Sequence, residues 1–255
     1  MTKSNVAVIG GTGFIGSRLV EVLGADALSR NTDPGVDVLD PSTLGILGSY
    51  DVVVYCVGLS PLRTPRVPYS SLHVRGVRNV VNVLREDQFF VLFSAVGADP
   101  DSSSRYLSTK GLGEIEANRH GGTAVIRPTH VLGEGSELRN VLGGAWYVPF
   151  VPSIEVETNP VCLEDVCEGA SLVVEEQKSG LHLFGGERRV AFTDLLCGVK
   201  PGPCIRVPRL LWRPVFWLLC RAGLSGLSVE QEAFLGEDFY QEPSPWFSHR
   251  VLERS

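Results

Sequence analysis

The sequence predicts an α/β fold in which helices cover both faces of a parallel sheet. Over the first 130 residues, short β-rich apolar runs alternate with helix-like segments. The runs are continuously apolar, as strands buried on both faces require. A glycine-rich turn, Gly10-Gly11-Thr12-Gly13-Phe14-Ile15-Gly16, joins the first run to the first helix-like segment. Such a turn is where a doubly wound sheet changes direction and meets a ligand.

Each element follows from local pattern. Val6-Ala7-Val8-Ile9 is the first strand. Gly16–Leu23 is a helix with Leu19, Val20 and Leu23 on one face. Ala27–Ser29 and Val36–Leu39 are short candidate strands, and Val52–Val57 is the central one. Val74–Arg85 has helical spacing at Val77, Val80, Val81 and Leu84. Phe89–Phe93 is a strand, Ser108–Asn118 a helix and Ala124–Ile126 a strand. After Pro128 the rhythm breaks. Residues 133–160 hold Gly133, Gly135, Gly143, Gly144, Pro149, Pro152 and Pro160, which mark loops and short elements. Leu163–Glu176 is helical, Gly180–Gly185 a strand and Leu210–Leu219 an apolar helix. The tail beyond Glu242 carries Pro and Ser and is expected to be poorly ordered. The expected division is a core over residues 1–133 and a smaller, interleaved C-terminal lobe over 134–255, with substrate entering between them.

Composition narrows the function. The chain has 255 residues, 44% hydrophobic and 20% charged, which suits a folded domain and excludes disorder. Lys plus Arg is 23 against 29 Asp plus Glu, a net charge of −6 that argues against phosphate neutralisation on nucleic acid. Six cysteines, Cys56, Cys162, Cys167, Cys197, Cys204 and Cys220, make no C-x-x-C pair. They are expected to be reduced, mostly buried thiols, which points to the cytoplasm or an equivalent reducing compartment. Met1 to Asn5 runs straight into a strand, without the apolar stretch of a signal peptide. No apolar run is long enough for an ordinary transmembrane helix. His73, His120, His130, His182 and His249 show no metal-ligand spacing, so no metal is assigned. His130 is a candidate pocket residue, with a structural role the stronger expectation.

The strongest chemical signal is the glycine turn. Gly10 permits the tight turn, Gly13 admits a pyrophosphate to the backbone, and Gly16 lets helix pack on strand. Thr12, Phe14 and Ile15 complete a helix N-terminus that offers free N–H groups to a phosphate. The strand and helix on either side raise the pattern above a lone glycine motif. The acidic residue that selects NAD is expected about 20 residues after the first glycine. Ser29 and Arg30 stand there instead, and a guanidinium suits a 2′-phosphate. NADP(H) is therefore the expected cofactor, with NAD the alternative and Asp33 the residue that would reverse the preference. Asp37 and Val38 are placed to meet an adenine at the sheet edge.

Tyr106-Leu107-Ser108-Thr109-Lys110 puts a phenol and an ammonium on one helical face. The lysine favours the phenolate and can hold a ribose hydroxyl, and the tyrosine becomes a candidate general acid/base. Ser94 follows the Phe89–Phe93 strand ahead of this pair.

Across these segments, with His73-Val74-Arg75-Gly76-Val77-Arg78-Asn79 and Ile126-Arg127-Pro128, the chain resembles the extended and atypical short-chain dehydrogenase/reductase superfamily. It is most similar to the branch containing the nucleotide-binding accessory subunit of respiratory complex I, whose relatives are labelled NAD-dependent epimerase/dehydratase-like. Val57–Pro61, Ser94–Asp99, Ser104-Arg105-Tyr106, Asn159-Pro160-Val161, Phe184-Gly185-Gly186 and Leu227–Gln231 carry that likeness over most of the chain. The resemblance implies a Rossmann-like core, with Val57, Gly58, Lys110 and Pro128 among the cofactor contacts and Tyr106, Lys110 and Ser94 as catalytic residues, Ser94 to orient a carbonyl by the Ser-to-Tyr spacing of simple members. Departures are His73 where the family often has Asn, Val96 where extended members carry a Ser or Thr, and a short Gly24–Val36 segment.

Residues 200–222 combine Lys200, Arg206, Arg209, Arg213 and Arg221 with Leu210, Leu211, Trp212, Val215, Phe216, Trp217, Leu218 and Leu219, and contain no acid. Two readings stand: a helix packed over the substrate cleft, or a peripheral membrane or protein-complex surface over 206–221. Trp146, Trp212, Trp217 and Trp246 all fall beyond the core, which gives the second lobe the large apolar surfaces. The leading expectation for function is an NADP(H)-dependent oxidoreductase or epimerase/dehydratase acting on a small carbonyl or sugar nucleotide. The alternative is a non-catalytic nucleotide-binding accessory or assembly protein of a membrane complex.

Overall fold

The computed structural model describes residues 5–61, 67–136, 138, 149–199, 202–221, 239–248 and 251, without the side chains at 216 and 219–221. Trp146, His249 and most of Leu227–Gln231's neighbourhood, like that segment itself, lie outside the described residues, as does the Cys220 side chain.

The strands are β1 Val6–Ile9, β2 Asp26–Leu28, β3 Val52–Tyr55, β4 Phe89–Phe93, β5 Thr123–Pro128, β6 Val131–Leu132, β7 Phe150–Pro152, β8 Glu157–Thr158, β9 Val161–Cys162, β10 Gly180–Phe184, β11 Val190–Ala191 and β12 Ile205–Val207. The helices are α1 Phe14–Leu23, α2 Val77–Val81, α3 Arg105–Ala117, α4 Leu163–Glu175, α5 Phe192–Val199, α6 Arg209–Arg221 and α7 Pro245–Phe247. Six parallel strands form the central sheet in the order β10-β5-β4-β3-β1-β2. This is the expected Rossmann-like doubly wound sheet.

Every residue of β1, β3 and β4 is buried, and alternate residues feed opposite cores. Val6, Val8, Val52, Val54, Val91 and Phe93 face α1 and α4. Ala7, Ile9, Val53, Tyr55, Phe90 and Leu92 face α2 and the loops beyond β2. The sixth strand, β10, and the covering helix α4 come from beyond residue 133, so C-terminal residues complete the sheet as well as building beside it. Among the described residues, the remaining short strands make three two-stranded pairs, β11-β8, β12-β7 and β6-β9.

Four expectations are corrected. Val36–Leu39 is not a strand. Its donors are used locally, Val36 N–H by the Ser29 carbonyl and Asp37 N–H by the Thr43 hydroxyl, so Val36 and Val38 are buried from a loop. The expected Val74–Arg85 helix is a wide π turn over Ser71–Gly76 followed by the short α2. Gly76 there lies against Tyr55, where a Cβ would stand 2.5 Å from the phenol oxygen. The Pro- and Ser-bearing tail is tied into the core. Phe247 and Val251 are fully buried, and Phe247 stacks on Phe184 at 4.3 Å, over a hollow left by Gly169. Cys197 and Cys204 form a disulfide, because the end of α5 and the lead into β12 bring their Cα atoms to 5.6 Å. Cys56, Cys162 and Cys167 are free thiols.

Candidate active site

The strand order reverses beside β1, and two adjoining cavities open where β1, β3, β4 and β5 end. The larger, about 980 Å³, holds Gly10, Thr12, Ser29, Arg30, Asp37, Val38 and Val57. The smaller, about 380 Å³, holds Gly13, Phe14, Ile15 and Gly16 on one side and Ser94, Tyr106, Lys110 and Pro128 on the other. Gly58, Leu59 and Ser60 line both. The structure thus brings all the residues predicted from sequence to one continuous cleft.

The glycine turn is built for close approach. Gly10 has φ +84°, and a Cβ there would come within 3.1 Å of the Cys56 and Val57 backbone. A Cβ on Gly16 would stand 2.2 Å from the Gly10 carbonyl oxygen, which fixes α1 hard against the turn. Gly13 is the N-cap of α1, contributes no capping side chain, and no acid occupies the first turn. The N-terminal N–H groups and positive dipole end of α1 therefore remain directed at an outside acceptor. This cradle fits a pyrophosphate.

At the far edge of the larger cavity the loop after β2 is closed on itself. The Thr32 hydroxyl accepts from Ser29 N–H at 2.9 Å, and the Ser29 hydroxyl accepts from Asn31 N–H at 3.2 Å. Arg30 is left exposed on this loop. Asp37 turns one carboxylate oxygen to the Leu39 N–H at 2.9 Å, which holds this wall of the cavity in place.

On α3, Tyr106, Lys110 and Glu114 follow one another at helical i, i+4 and i+8. Lys110 donates to the Phe93 carbonyl at 3.0 Å, and burial draws its ammonium down to about 8 against the pull of Glu114. Glu114 is buried, takes a two-pronged bond from Arg127 at 2.8 and 2.7 Å, and accepts the Ser94 hydroxyl. A serine hydroxyl carries one proton. To orient a carbonyl by donation, Ser94 would have to release Glu114.

Sequence reasoning overlooked the support beneath Tyr106. Its ring meets His73 and Tyr69 edge-on at 5.5 and 5.6 Å, and Tyr69 stacks on His73. His73 is buried, and burial together with the Lys110 charge holds its ring well below the usual imidazole range. His130 lines the smaller cavity between Phe192 at 4.8 Å and Phe239 at 4.9 Å, with Nδ1 2.8 Å from the Thr158 hydroxyl. Burial lowers its ring to about 4. Glu114 had a readable signal, the third polar residue on the Tyr106 and Lys110 stripe. Tyr69 had none, because only the π turn brings it under α3.

No family model matches the sequence, and no curated protein matches it. Solved structures do. The crystal structure of gox2253 superposes with a TM-score of 0.75 at 20% identity, covering 97% of this chain and 92% of its own. A dTDP-4-dehydrorhamnose reductase from Bacillus anthracis, in complex with NADP, gives a TM-score of 0.67 at 12% identity, covering 92% and 97%. The Bordetella bronchiseptica enzyme WbmH, in complex with NAD+, gives 0.64 at 17% identity, covering 80% and 85%. At these identities the likeness is one of fold.

Proposed function

We propose that this protein is an NADP(H)-dependent oxidoreductase of the short-chain dehydrogenase/reductase type that acts on a small carbonyl compound. The observation that carries the reading is the meeting of the phosphate cradle and the Tyr106–Lys110 face in one cleft, joined through Gly58–Ser60. Structures of the same fold hold NADP, NADPH or NAD+.

In this reading, the first turn of α1 takes the pyrophosphate, and Arg30 pairs with a 2′-phosphate at the exposed edge. Lys110 holds a ribose hydroxyl. A bound nicotinamide supplies or accepts the hydride. Tyr106 donates the proton to the carbonyl oxygen in reduction, and the nearby Lys110 ammonium stabilises the charge left on the phenol oxygen. The cavity that Tyr106 lines is mostly apolar, with Phe14, Pro61, Val96, Val131 and Leu138, and Lys110 is its only lysine or arginine among the described residues. An uncharged apolar carbonyl compound suits the described part of this lining. The kinship with respiratory accessory subunits rests on sequence motifs alone. A stored, unconsumed nucleotide would leave the Tyr106–Lys110 face without a task.

The test is a calorimetric titration of NADPH and NADH into wild type and Arg30→Ala, followed by nicotinamide absorbance with a panel of carbonyl acceptors. NADPH should bind more tightly than NADH, and Arg30→Ala should erase the difference. Tyr106→Phe should bind NADPH normally and lose turnover on any acceptor the wild type reduces. Binding of neither nucleotide overturns the reading. Full turnover by Tyr106→Phe overturns the mechanism.

A further inference from the structure

We propose that α6 is a membrane-seating element that rests this protein on anionic lipid. Leu210, Leu211, Val215 and Leu218 are 85, 62, 57 and 64% exposed, and Trp217 is 47% exposed. Together with exposed Pro214 they occupy one face of the helix, at i, i+1, i+4, i+5, i+7 and i+8. The opposite side is anchored, with Trp212 packed into the lobe core and its indole N–H donating to the Ser153 carbonyl at 3.2 Å. The helix is therefore attached by its back while its apolar front faces outward. Phe150 and Ile205, paired across β7 and β12 and both at least half exposed, widen the apolar surface of the same lobe. A contiguous patch of this kind marks an interaction surface.

Charge identifies the occupant. The protein carries a net −6, yet residues 200–222 hold five lysines and arginines and no acid. Arg209 and Arg213 are exposed along the margin of the apolar stripe. A second copy of this chain would bring like-charged arginines together at a self-complementary interface. An anionic lipid surface meets both features, accepting the leucines among its acyl chains, Trp217 at headgroup level and the arginines at its phosphates. The helix has 13 residues, a length of about 20 Å. No helix among the described residues is long and apolar enough to cross a membrane. α6 would lie in the interface plane.

Flotation tests this with the full-length protein and vesicles of phosphatidylcholine alone or mixed with phosphatidylglycerol. Wild type should float with the anionic vesicles only, and its tryptophan emission should shift to the blue, a shift that Trp217→Phe diminishes. Leu210→Glu with Leu218→Glu changes only exposed positions, so an unchanged melting temperature is expected beside loss of flotation. Arg209→Gln and Arg213→Gln should each weaken binding about fivefold, and salt should weaken wild type likewise. Absence of flotation on anionic vesicles overturns the proposal, as does undiminished flotation of the double glutamate variant. A dimer in light scattering that the glutamates dissolve, without flotation, assigns the face to a second copy instead. NADPH binding is independent of every one of these outcomes.

Discussion

The Nε2 atom of His73 accepts the main-chain N–H of Leu59 at 3.2 Å. Because the amide can only donate, Nε2 is unprotonated and the ring proton sits on Nδ1. Nδ1 then donates to the Thr109 hydroxyl at 3.0 Å, and that hydroxyl donates onward to the Arg105 carbonyl at 2.8 Å. One neutral imidazole therefore ties the segment shared by both cavities to the helix that carries Tyr106 and Lys110. Gly113 makes room for this link, since a Cβ there would come 2.1 Å from the His73 carbonyl oxygen.

Removing the imidazole should leave the half-buried Leu59 N–H without its acceptor, while the Thr109 hydroxyl loses a donor and keeps its bond to the Arg105 carbonyl. His73→Leu is expected to lose roughly 1 to 3 kcal/mol of stability and to weaken NADPH binding through a loosened Leu59. His73→Asn keeps one acceptor and one donor, and should recover part of both losses. Chemical denaturation and calorimetry on the two variants check this. Equal losses in Leu and Asn variants would show that ring volume, not the hydrogen-bond relay, is what matters.

Acid should destabilise the fold through its neutral histidines. Burial holds His73 well below, His130 at about 4 and His182 below the usual value of 6.5. As pH falls under 6.5 the unfolded chain takes up protons that these native rings refuse, so stability declines toward pH 4. Melting temperature followed over that range should fall steadily, and His130→Gln should flatten part of the slope. A melting temperature unchanged from neutral pH to about 4 would contradict this.

The contrast between what was legible and what was not has a physical origin. β1, β3 and β4 were readable because both faces of each are buried, which leaves no polar residue to blur the run. The Gly10–Gly16 turn and the Tyr106–Lys110 pair were readable because their spacing is local. Val36–Leu39 misled because burial alone resembles a strand, while the Ser29 and Thr43 acceptors that hold it are set by loop closure. Phe247 in the core, the Cys197–Cys204 bond and the Leu59–His73–Thr109 relay each depend on tertiary approach, to which a linear pattern is blind.

Glu114 and Arg127 form a buried, two-pronged ion pair, with side chains 11 and 19% exposed. Losing one partner leaves the other charged and unpaired in low dielectric. Glu114→Gln or Arg127→Met should cost about 3 to 5 kcal/mol, on the order of 10 °C in Tm. The paired replacement Glu114→Leu with Arg127→Met removes both charges and should recover much of the loss. A double variant as unstable as the sum of the two would argue against a coupled pair.

Lys110 should impose a pH dependence on nucleotide binding. Its ammonium, drawn down to about 8, is present below that pH and lost above it. An anionic nucleotide that favours the charged form raises this value, and each unit of increase is worth about tenfold in affinity. NADPH affinity should fall as pH rises above 8, whereas Lys110→Met should bind more weakly and without this dependence. A wild-type affinity constant from pH 7 to 10 would remove Lys110 from the nucleotide site.

Two glycines of the same turn should fail in different ways. A Cβ on Gly16 meets the Gly10 carbonyl oxygen at 2.2 Å, backbone against backbone, with no flexible atom to yield. Gly16→Ala should therefore pry α1 from β1 and destabilise the protein by several kcal/mol, or prevent folding. A Cβ on Gly13 stands 3.2 Å from that same oxygen, and Gly13 already has the extended backbone of an N-cap, with φ −84° and ψ 176°. Alanine fits those angles, so Gly13→Ala should melt within about 1 kcal/mol of wild type. Its methyl group would instead enter the space where a pyrophosphate approaches the first turn of α1, and NADPH affinity should drop at least ~10-fold. Denaturation and calorimetry on both variants separate packing from binding. Normal NADPH affinity in a folded Gly13→Ala would move the phosphates away from this turn.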